Sequence, residues 1–407
     1  MSVNLYKDKQ DCCGCGACKS VCPRNAISMV ADEDGFLYPQ IDIRLCVECG
    51  ACQNVCGYQS LPNRSKPIAC YAASAKDAEL LRNSASGGVF AVMAKKTLNR
   101  GGVVYGVAMN MEDTGLTARH IRIGTVSEMA ALQGSKYVQS TIGATYKQAK
   151  KDLQEGKQVL FSGTPCQIAG LRSFLGKEYD TLFTVEVICH GVPNSKMFQD
   201  FLETLERKKG NTITAFSFRS KDKGQGMNTS IEYHNTNGGY SRVSRNGHRY
   251  SYMHYFLKAY IYRINCYSCP FATEERVADI TIGDYWGFHE EHPIISRDVK
   301  LNNTKGVSCV LLNSERGIRL FEECSSDQVI LATEFEKIAK HNEQLRKPCK
   351  KSQERDVILK LYREKGYDAV EQHFQKTCKK ERMISAAMDM VPKGLKRAVK
   401  RAIGILK

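Results

Sequence analysis

Long apolar stretches and export features are missing from this 407-residue sequence. No segment approaches the roughly 20 consecutive apolar residues that a membrane-spanning helix needs. The first ten residues, MSVNLYKDKQ, lack the apolar core of a secretory signal. No nucleic-acid-binding module is present, and aromatic residues do not alternate with basic ones as they do in single-strand binders. We therefore expect a cytoplasmic protein that binds no nucleic acid.

Cysteine, by contrast, is abundant, with 18 residues in the chain. In a reducing compartment, thiols serve metal sites rather than disulfides. Apolar residues make up 42% of the chain, which is enough for a large core and for two or three domains. The net charge is +16, and part of the positive excess lies in residues 379–407. An acidic partner or an anionic cofactor would complement the rest.

Two runs of four cysteines share one spacing. The first is C-x2-C-x2-C-x3-C followed by Pro23, and the second repeats it with Gly57 in place of the proline. This run is typical of two-cluster bacterial ferredoxins, in which the fourth cysteine ligates the other cluster. Gly14, Gly16 and Gly50 allow the backbone to turn closely around each cluster. The sequence predicts two [4Fe–4S] clusters, one held by Cys12, Cys15, Cys18 and Cys56, the other by Cys46, Cys49, Cys52 and Cys22.

The alternatives for these cysteines are a pair of zinc knuckles and a disulfide framework. Zinc sites usually pair cysteines two by two across a longer gap, so two runs of four fit that class poorly. Cys13 is an extra cysteine within the first run. We expect its side chain to point away from the cluster, with a shift in register as the alternative.

The patterning predicts three segments of different character. Residues 1–62 form the ferredoxin-type domain, with a hairpin at 35–43 and a polar linker at 60–67. Helices then alternate with buried strands, which indicates a larger mixed α/β domain over residues 68–350. Within it, residues 212–260 are more β-like. Residues 351–407 form a helical, basic C-terminal tail. The fold class is thus α+β and α/β.

A second set of cysteines lies in the larger domain. Cys166 and Cys189 each follow a predicted strand, and Cys266 and Cys269 form a C-x2-C pair. Four such cysteines suit one tetrahedral or cubane metal site, for which zinc and iron–sulfur compete. The alternative is that the two single cysteines are small buried core residues.

Several stretches from about residue 68 to 350 resemble the beta subunit family of coenzyme F420 hydrogenases and dehydrogenases. They are SGGVF (86–90), GGVVYG (101–106), GSKYVQS (134–140), KQVLFSGTPCQIAGLR (157–172), ICHGVP (188–193) and CYSCPFATEERVADITIGDYWG (266–287). The resemblance implies a domain that binds FAD beside a third [4Fe–4S] cluster. By position, the ligands of that cluster would be Cys166, Cys189, Cys266 and Cys269.

The same resemblance implies where the flavin lies. A pyrophosphate needs backbone N–H groups at a helix N-terminus and a positive charge, and crevices form where parallel strands end. No G-x-G-x-x-G follows a strand, so a Rossmann-type site is not indicated. For each candidate residue the alternative is a glycine that makes a turn or a lysine on a solvated face. The cofactor-binding candidates are Ser86, Gly87, Gly88, Lys136, Gly283 and Asp284.

These parts predict an iron–sulfur flavoprotein oxidoreductase. It would pass electrons between [4Fe–4S] clusters and FAD, and reduce or oxidise a small substrate or a deazaflavin of the F420 type. The electron donor would be ferredoxin or reduced F420. The sequence does not decide whether the protein forms a homo-oligomer. No catalytic residue is assigned. His190 could donate a proton, but we favour the alternative that it is a packed or hydrogen-bonded residue. The alternatives are a non-catalytic electron-transfer subunit of a larger redox or polysaccharide-biosynthesis complex, and a structural iron–sulfur protein.

The last 17 residues, VPKGLKRAVKRAIGILK (391–407), have apolar residues at helical spacing and basic residues on the other face. A helix of this kind suits peripheral contact with an anionic membrane surface. The alternative, which we favour, is a terminal helix docked on the protein itself or on a partner.

Overall fold

The computed structural model describes residues 4–113, 115–235, 238–293, 301–302 and 304–391. The strands in these ranges are β1 (Ile27–Ala31), β2 (Leu37–Ile41), β3 (Ala69–Ala75), β4 (Val103–Glu112), β5 (Gly115–Ile123), β6 (Val159–Gly163), β7 (Leu182–Val187), β8 (Thr212–Ser217), β9 (Asn228–His234), β10 (Tyr240–Asn246), β11 (Ile280–Asp284), β12 (Ser308–Leu312) and β13 (Gln328–Thr333). The helices are α1 (Ala17–Val21), α2 (Ala51–Asn54), α3 (Ala78–Asn83), α4 (Val89–Asn99), α5 (Thr145–Gln154), α6 (Pro165–Leu175), α7 (Ser195–Lys209), α8 (Ser251–Leu257), α9 (Phe288–Glu291), α10 (Glu315–Glu323), α11 (Phe335–Ala339), α12 (Gln353–Thr377) and α13 (Lys379–Met390).

The first 62 residues, here called the ferredoxin unit, show the predicted internal repeat. Helices α1 and α2 each start after a glycine in the left-handed region, Gly16 (φ 74°) and Gly50 (φ 71°), where a side chain would be strained. Strands β1 and β2 pair antiparallel, with Met29 opposite Pro39. The hairpin expected at 35–43 therefore has its second strand there and its first strand earlier in the chain.

The larger domain is built on an eight-stranded sheet in the order β13-β3-β12-β11-β7-β6-β4-β5. Strands β4, β6, β7 and β11 are mutually parallel, and β3 has the same direction because two antiparallel pairings, through β12, connect it to β11. The carboxyl ends of these five strands therefore lie at one edge of the sheet. In α/β sheets such an edge is where ligands bind.

Alternating side chains cover the two faces of this sheet. In β6, Leu160 packs with Val92 and Met93 of α4, whereas Phe161 packs with Tyr146 of α5 and Ile168 of α6. Ala17 and Val55 of the ferredoxin unit belong to the same core as α5 and α6. The ferredoxin unit therefore shares a hydrophobic core with one face of the sheet.

A second core surrounds the three-stranded antiparallel sheet β10-β9-β8. Helices α7, α8 and α12 pack there, and Phe36 and Tyr38 of the ferredoxin unit join them. Region 212–260, expected to be β-like, holds these three strands together with α8. Helix α12 contributes Ile358 and Tyr362 to this core, and its axis breaks at Gly366 (φ 72°). The three predicted domain ranges remain predictions.

The fold class agrees with the prediction: a small ferredoxin-like unit, a large mixed sheet with helices, and helices after residue 351. Among the helices of the described ranges, none has the length and apolar character that crossing a membrane requires. The predicted amphipathic segment 391–407 lies, apart from Val391, outside the described residues.

Candidate metal centres and cofactor recess

The first thiol site consists of Cys12, Cys15, Cys18 and Cys56. These four residues line one cavity of the ferredoxin unit. Burial raises the pKa of Cys18, and the neighbouring thiols of Cys15, Cys12 and Cys56 raise it further. The structure thus brings Cys56, the last cysteine of the second run, to the three thiols of the first run. This is the crossed arrangement that the sequence predicts.

The second thiol site consists of Cys22, Cys46, Cys49 and Cys52, which line a separate cavity. Burial raises the pKa of Cys52, and the thiols of Cys22 and Cys46 contribute to the rise. Cys49 is exposed to solvent, whereas the other three are partly buried. The second thiol site is therefore the one closer to the outer surface of the ferredoxin unit.

The third thiol site consists of Cys166, Cys189, Cys266 and Cys269. Cys166 lies in the first turn of α6, just after β6, and Cys189 follows β7. Cys266 lies on the short 3-10 helix Ile264–Ser268, and Cys269 directly follows it. Burial and then the thiols of Cys266, Cys166 and Cys269 raise the pKa of Cys189. Four thiols from three parts of the chain thus meet at the carboxyl edge of the sheet, and a tetrathiolate set fits a [4Fe–4S] cluster.

Cys13 lies between the first and third thiol sites. The sequence suggested that its side chain points away from the cluster, and this expectation is wrong, because the side chain lies near thiols of both sites. The neighbouring thiols of Cys15 and Cys166, followed by burial, raise its pKa, and the proximity of Cys13 in turn lowers the pKa of Cys166. A thiol that is not a predicted ligand therefore connects one predicted ligand of each site. Nothing in the cysteine spacing indicates this contact, which depends on how the two units dock.

Two glycines fix how the ferredoxin unit docks on α6. A Cβ atom on Gly170 would lie 2.9 Å from Sγ of Cys15, and one on Gly57 would lie 2.7 Å from the carbonyl oxygen of Ala169. Real Cβ atoms do not approach other atoms this closely. Gly57 is the position where the second cysteine run departs from the ferredoxin pattern. The departure therefore matches a tight contact with the α6 backbone.

The predicted flavin residues Ser86, Gly87 and Gly88 follow β3 at the carboxyl edge. The hydroxyl of Ser86 donates to the carbonyl of Val307, at 2.9 Å. A Cβ on Gly87 would lie 2.3 Å from the carbonyl oxygen of Ala73, so this glycine serves close packing on the sheet. Gly88 (φ 81°) precedes α4, whose first N–H groups receive no side-chain cap. Of the three residues, Gly88 is therefore the one that directly precedes a helix N-terminus, which is buried in this structure.

Asp284 ends β11 and forms an ion pair with Arg219, with 2.7 Å between Oδ2 and Nη1. Gln225 donates to Asp284 and to the carbonyl of Ala85, at 3.1 and 3.0 Å. Lys221 donates to the carbonyl of Ser86, at 2.6 Å. These contacts connect Asp284 to the Ser86 segment. Gly283 is packed against Ile188, whose Cδ1 would lie 2.8 Å from an added Cβ.

Lys136 is linked to the segment 84–88 through Gln133. Its Nζ donates to the carbonyls of Ala131 and Gln133, at 3.1 and 2.8 Å. The side chain of Gln133 in turn donates to Ser84, at 3.2 Å. Burial lowers the pKa of Lys136 to about 7, although part of the residue stays exposed. Five of the six predicted residues are therefore brought together, along with Lys221, in a region here called the cofactor recess: Ser86, Gly87, Gly88, Gly283 and Asp284. Lys136 is linked to this region through Gln133 and Ser84.

The cofactor recess and the third thiol site are neighbours at the carboxyl edge of the sheet. Cys189 follows β7 and Asp284 ends β11, and these two strands pair in parallel. Ile188, which precedes Cys189, packs against Gly283. His190 follows Cys189 and is exposed; desolvation lowers its pKa and the carboxylate of Asp284 opposes the shift.

Sequence reasoning missed Arg219, Lys221 and Gln225, which lie between β8 and β9. The available signal was the segment FRSKDKGQG, a basic run with glycines directly after a strand. It belongs to the smaller sheet, so its position beside β3 and β11 could not be inferred from the order of the strands.

The electrostatics of the cofactor recess suit an anion. In the described part of the chain, neither Lys136 nor Lys221 has a carboxylate within 4.0 Å, and burial lowers the pKa of Lys221 to about 8. A desolvated amine without a counter-ion is an unfavourable arrangement that a bound phosphate would relieve. Together with the uncapped start of α4, the two amines fit a pyrophosphate group.

Comparison with family models covers most of the chain. Residues 156–338 match the C-terminal model of the coenzyme F420 hydrogenase/dehydrogenase beta subunit. Residues 70–145 match the model of the N-terminal part of the same protein. The two matches together cover more than half of the chain. Residues 11–60 match the 4Fe-4S dicluster domain.

Two individual proteins are similar to parts of the chain. An uncharacterized ferredoxin of Methanocaldococcus jannaschii is 37% identical over 46 residues, which are 11% of this chain and 58% of that ferredoxin. The chain thus spans little more than half the length of that relative. A chain of the F420-reducing [NiFe] hydrogenase complex from Methanosarcina barkeri, studied with xenon derivatization, has a TM-score of 0.41 and 16% identity, covering 77% of this chain and 92% of that one.

Proposed function

The chain belongs to the coenzyme F420 hydrogenase/dehydrogenase beta subunit family and carries a 4Fe-4S dicluster domain, which makes it an iron–sulfur electron-transfer oxidoreductase; we propose that it moves electrons between three [4Fe–4S] clusters and an FAD in the cofactor recess. The reaction would reduce or oxidise a small organic molecule or a deazaflavin of the F420 type. Ferredoxin or reduced F420 would supply the electrons.

The observation that carries this proposal is the order of the sites. Cys49 of the second thiol site is exposed, and the first thiol site lies against α6. The thiol of Cys13 then connects the first site to Cys166 of the third. Ile188, which precedes Cys189 of the third site, packs against Gly283 of the cofactor recess. This order supports a route for single electrons from the surface of the ferredoxin unit to the recess.

The donor sets support three clusters rather than two. Each of the three sites offers four thiols and lies partly buried, with Cys49 as the exposed exception. The third site in addition draws its thiols from a helix start, from the end of a strand and from the 3-10 helix Ile264–Ser268 with the residue that follows it. These four thiols make one tetrathiolate set, which suits a [4Fe–4S] cluster.

The cofactor recess supports FAD by its charges. Lys136 and Lys221 would bind the pyrophosphate oxygens together with the N–H groups that start α4. The ion pair of Arg219 with Asp284 would hold the floor of the recess in place. When bound, FAD supplies exchange of single electrons with clusters and of a hydride with an organic molecule. The residues around it bind it, orient it and exclude water.

A second candidate is a non-catalytic electron-transfer subunit that serves a separate catalytic chain. The description of the matched family as a beta subunit favours it. Both candidates require the clusters, so cluster content does not separate them.

Turnover and flavin content separate the two candidates. We would purify the chain anaerobically, release and quantify its flavin, and assay reduction of F420 and simple flavin acceptors with reduced ferredoxin. Turnover by the isolated chain supports the oxidoreductase with its own substrate. One flavin per chain, with turnover only after a partner is added, supports the non-catalytic alternative. A chain that takes up no FAD, while Lys136→Met and wild type behave alike, contradicts the proposed recess.

A further inference from the structure

Arg263 lies between the first and third thiol sites. It directly precedes the 3-10 helix that carries Cys266. Its side chain crosses to the ferredoxin unit, where Nε donates to the carbonyl of Cys12 and Nη1 to that of Leu37, both at 3.0 Å. Its Nη2 lies 3.8 Å from Sγ of Cys12, a predicted cluster ligand. The guanidinium carbon lies 3.9 Å from the ring centre of Tyr38.

This arginine is a buried cation without a carboxylate. Its exposed fraction is 0%. Over the described ranges, no Asp or Glu side chain lies within 4.0 Å of it. A buried charge normally requires a partner of opposite sign. The carbonyls and the Tyr38 ring supply only partial negative charge, so the nearest full counter-charge is what a thiolate-ligated cluster would provide.

Arg263 contacts residues of both sites. The backbone N–H of Cys266 donates to the carbonyl of Arg263, at 3.0 Å, and Nη2 of Arg263 lies 3.8 Å from Sγ of Cys12. The hydrogen bonds that its guanidinium donates to carbonyls go to Cys12 and Leu37 of the ferredoxin unit.

We propose that Arg263 sets the reduction potential of the cluster in the first thiol site and holds that site in register with the third. The inference rests on the proposed function, because it requires clusters in both sites. A [4Fe–4S] cluster gains a negative charge when it is reduced, so a fixed cation and hydrogen bond at one of its sulfurs favour the reduced form. Arg263 is therefore a positioning residue that makes the first cluster the better electron acceptor of the two in the ferredoxin unit.

Gln139 provides a second way to change the same charge. Its amide donates to the carbonyl of Cys13, at 3.1 Å. A Cβ on Gly14 would lie 2.8 Å from Nε2 of Gln139 and 3.2 Å from Nη1 of Arg263, so the two side chains lie next to each other. Gln139→Glu would place a carboxylate beside the guanidinium with almost no change in size. Gln139→Met removes the hydrogen bond without adding charge and is the matched control.

The test is a redox titration of each cluster, followed by electron paramagnetic resonance, in the anaerobically purified chain. Iron is counted for every variant. We expect Arg263→Gln and Gln139→Glu each to weaken reduction of the first cluster about tenfold, the size of a lost charge-assisted hydrogen bond, or about 59 mV for one electron. The second cluster should stay within about twofold of wild type, because the guanidinium contacts Cys12 and Leu37 and none of the four described thiols of the second site.

Two results would overturn the inference. One is an unchanged first-cluster potential in Gln139→Glu, or in an Arg263→Gln protein with full iron. The other is an equal shift in Gln139→Met, which would assign the effect to loss of the Gln139 hydrogen bond rather than to charge. If Arg263→Gln does not assemble, Gln139→Glu and Gln139→Met decide alone. A wild-type chain without a third cluster would instead refute the proposed function, and the iron count distinguishes that failure from the other two.

Discussion

The thiol of Cys13 lies near the thiol of Cys166, across the contact between the ferredoxin unit and α6, and each shifts the pKa of the other. Cys166 belongs to the third thiol site, and Cys13 is also close to Cys15 of the first. The two sites therefore approach each other at a residue that is a predicted ligand of neither. This contact joins a two-cluster ferredoxin pattern to the larger domain.

Cys13 should be dispensable for cluster assembly. We expect Cys13→Ala to retain the iron content of wild type, because four other thiols serve each site. Cys15→Ala should lose the iron of the first cluster, about four atoms per chain. The measurement is iron per folded chain with the spectrum of each cluster. A loss of iron in Cys13→Ala equal to that in Cys15→Ala would indicate a shifted ligand register.

Gly57→Ala should weaken docking of the ferredoxin unit. The added Cβ would meet the carbonyl oxygen of Ala169 at 2.7 Å, so the ferredoxin unit or α6 must shift. We expect a loss of roughly 1–3 kcal/mol in the free energy of unfolding, measured by anaerobic denaturant titration. Gly124→Ala is the control, since its Cβ would meet only Nη1 of Arg122, at 3.7 Å. Equal effects of the two substitutions would refute the tight contact.

Breaking the ion pair in the cofactor recess should be costly. Arg219 is 1% exposed on its side chain, so Asp284→Asn leaves an uncompensated buried charge. We expect the free energy of unfolding to fall by roughly 3–5 kcal/mol, with recovery in an Arg219→Met, Asp284→Asn double variant. Asp222→Asn breaks an exposed pair with Arg242 and should cost at most about 1 kcal/mol. If the Asp284 variant is as stable as that control, the pair does not support the recess.

FAD binding should weaken as pH rises through about 7. Burial lowers the pKa of Lys136 to about 7 in the folded chain, from an ordinary value of 10.5. Above that pH the amine is neutral in the free protein and must gain a proton to bind a pyrophosphate, so affinity falls with increasing pH. Between about 7 and 10.5 the unfolded chain binds more protons, so stability of the FAD-free protein rises with pH.

This pH dependence is measured as the FAD dissociation constant between pH 6 and 9. In Lys136→Met we expect weaker binding at pH 6, by about tenfold, and a flatter profile, because the titrating amine is gone. Lys147→Met, at an exposed lysine, should follow wild type. A wild-type profile that does not change across this range would remove Lys136 from the phosphate site.

The sequence anticipated those features that depend on local spacing. The cysteine runs specified both the ferredoxin unit and the crossing of Cys56 to the first site. The alternation of strands and helices specified the mixed sheet, and strand ends located Cys166, Cys189 and Asp284 at one edge. Such features follow from periodicity and from the rule that parallel strands end together.

Features that depend on docking could not be anticipated. Arg219 and Lys221 enter the recess from the smaller sheet, and Arg263 reaches across to Cys12 from a segment about 250 residues later. Gly57 departs from the pattern of the first cysteine run, and its close contact with Ala169 explains the departure. Each of these residues acts at a surface between units, and no local pattern encodes which surfaces meet.

A continuous route through three clusters requires a third cluster, which the count of iron and acid-labile sulfide per folded chain detects. For wild type purified anaerobically we expect about twelve of each, and for Cys189→Ser about eight. Cys324→Ser, at a buried cysteine of another core, should keep the wild-type value. A count of about eight in wild type, unchanged in Cys189→Ser, would mean that the third cluster and the route through it do not exist.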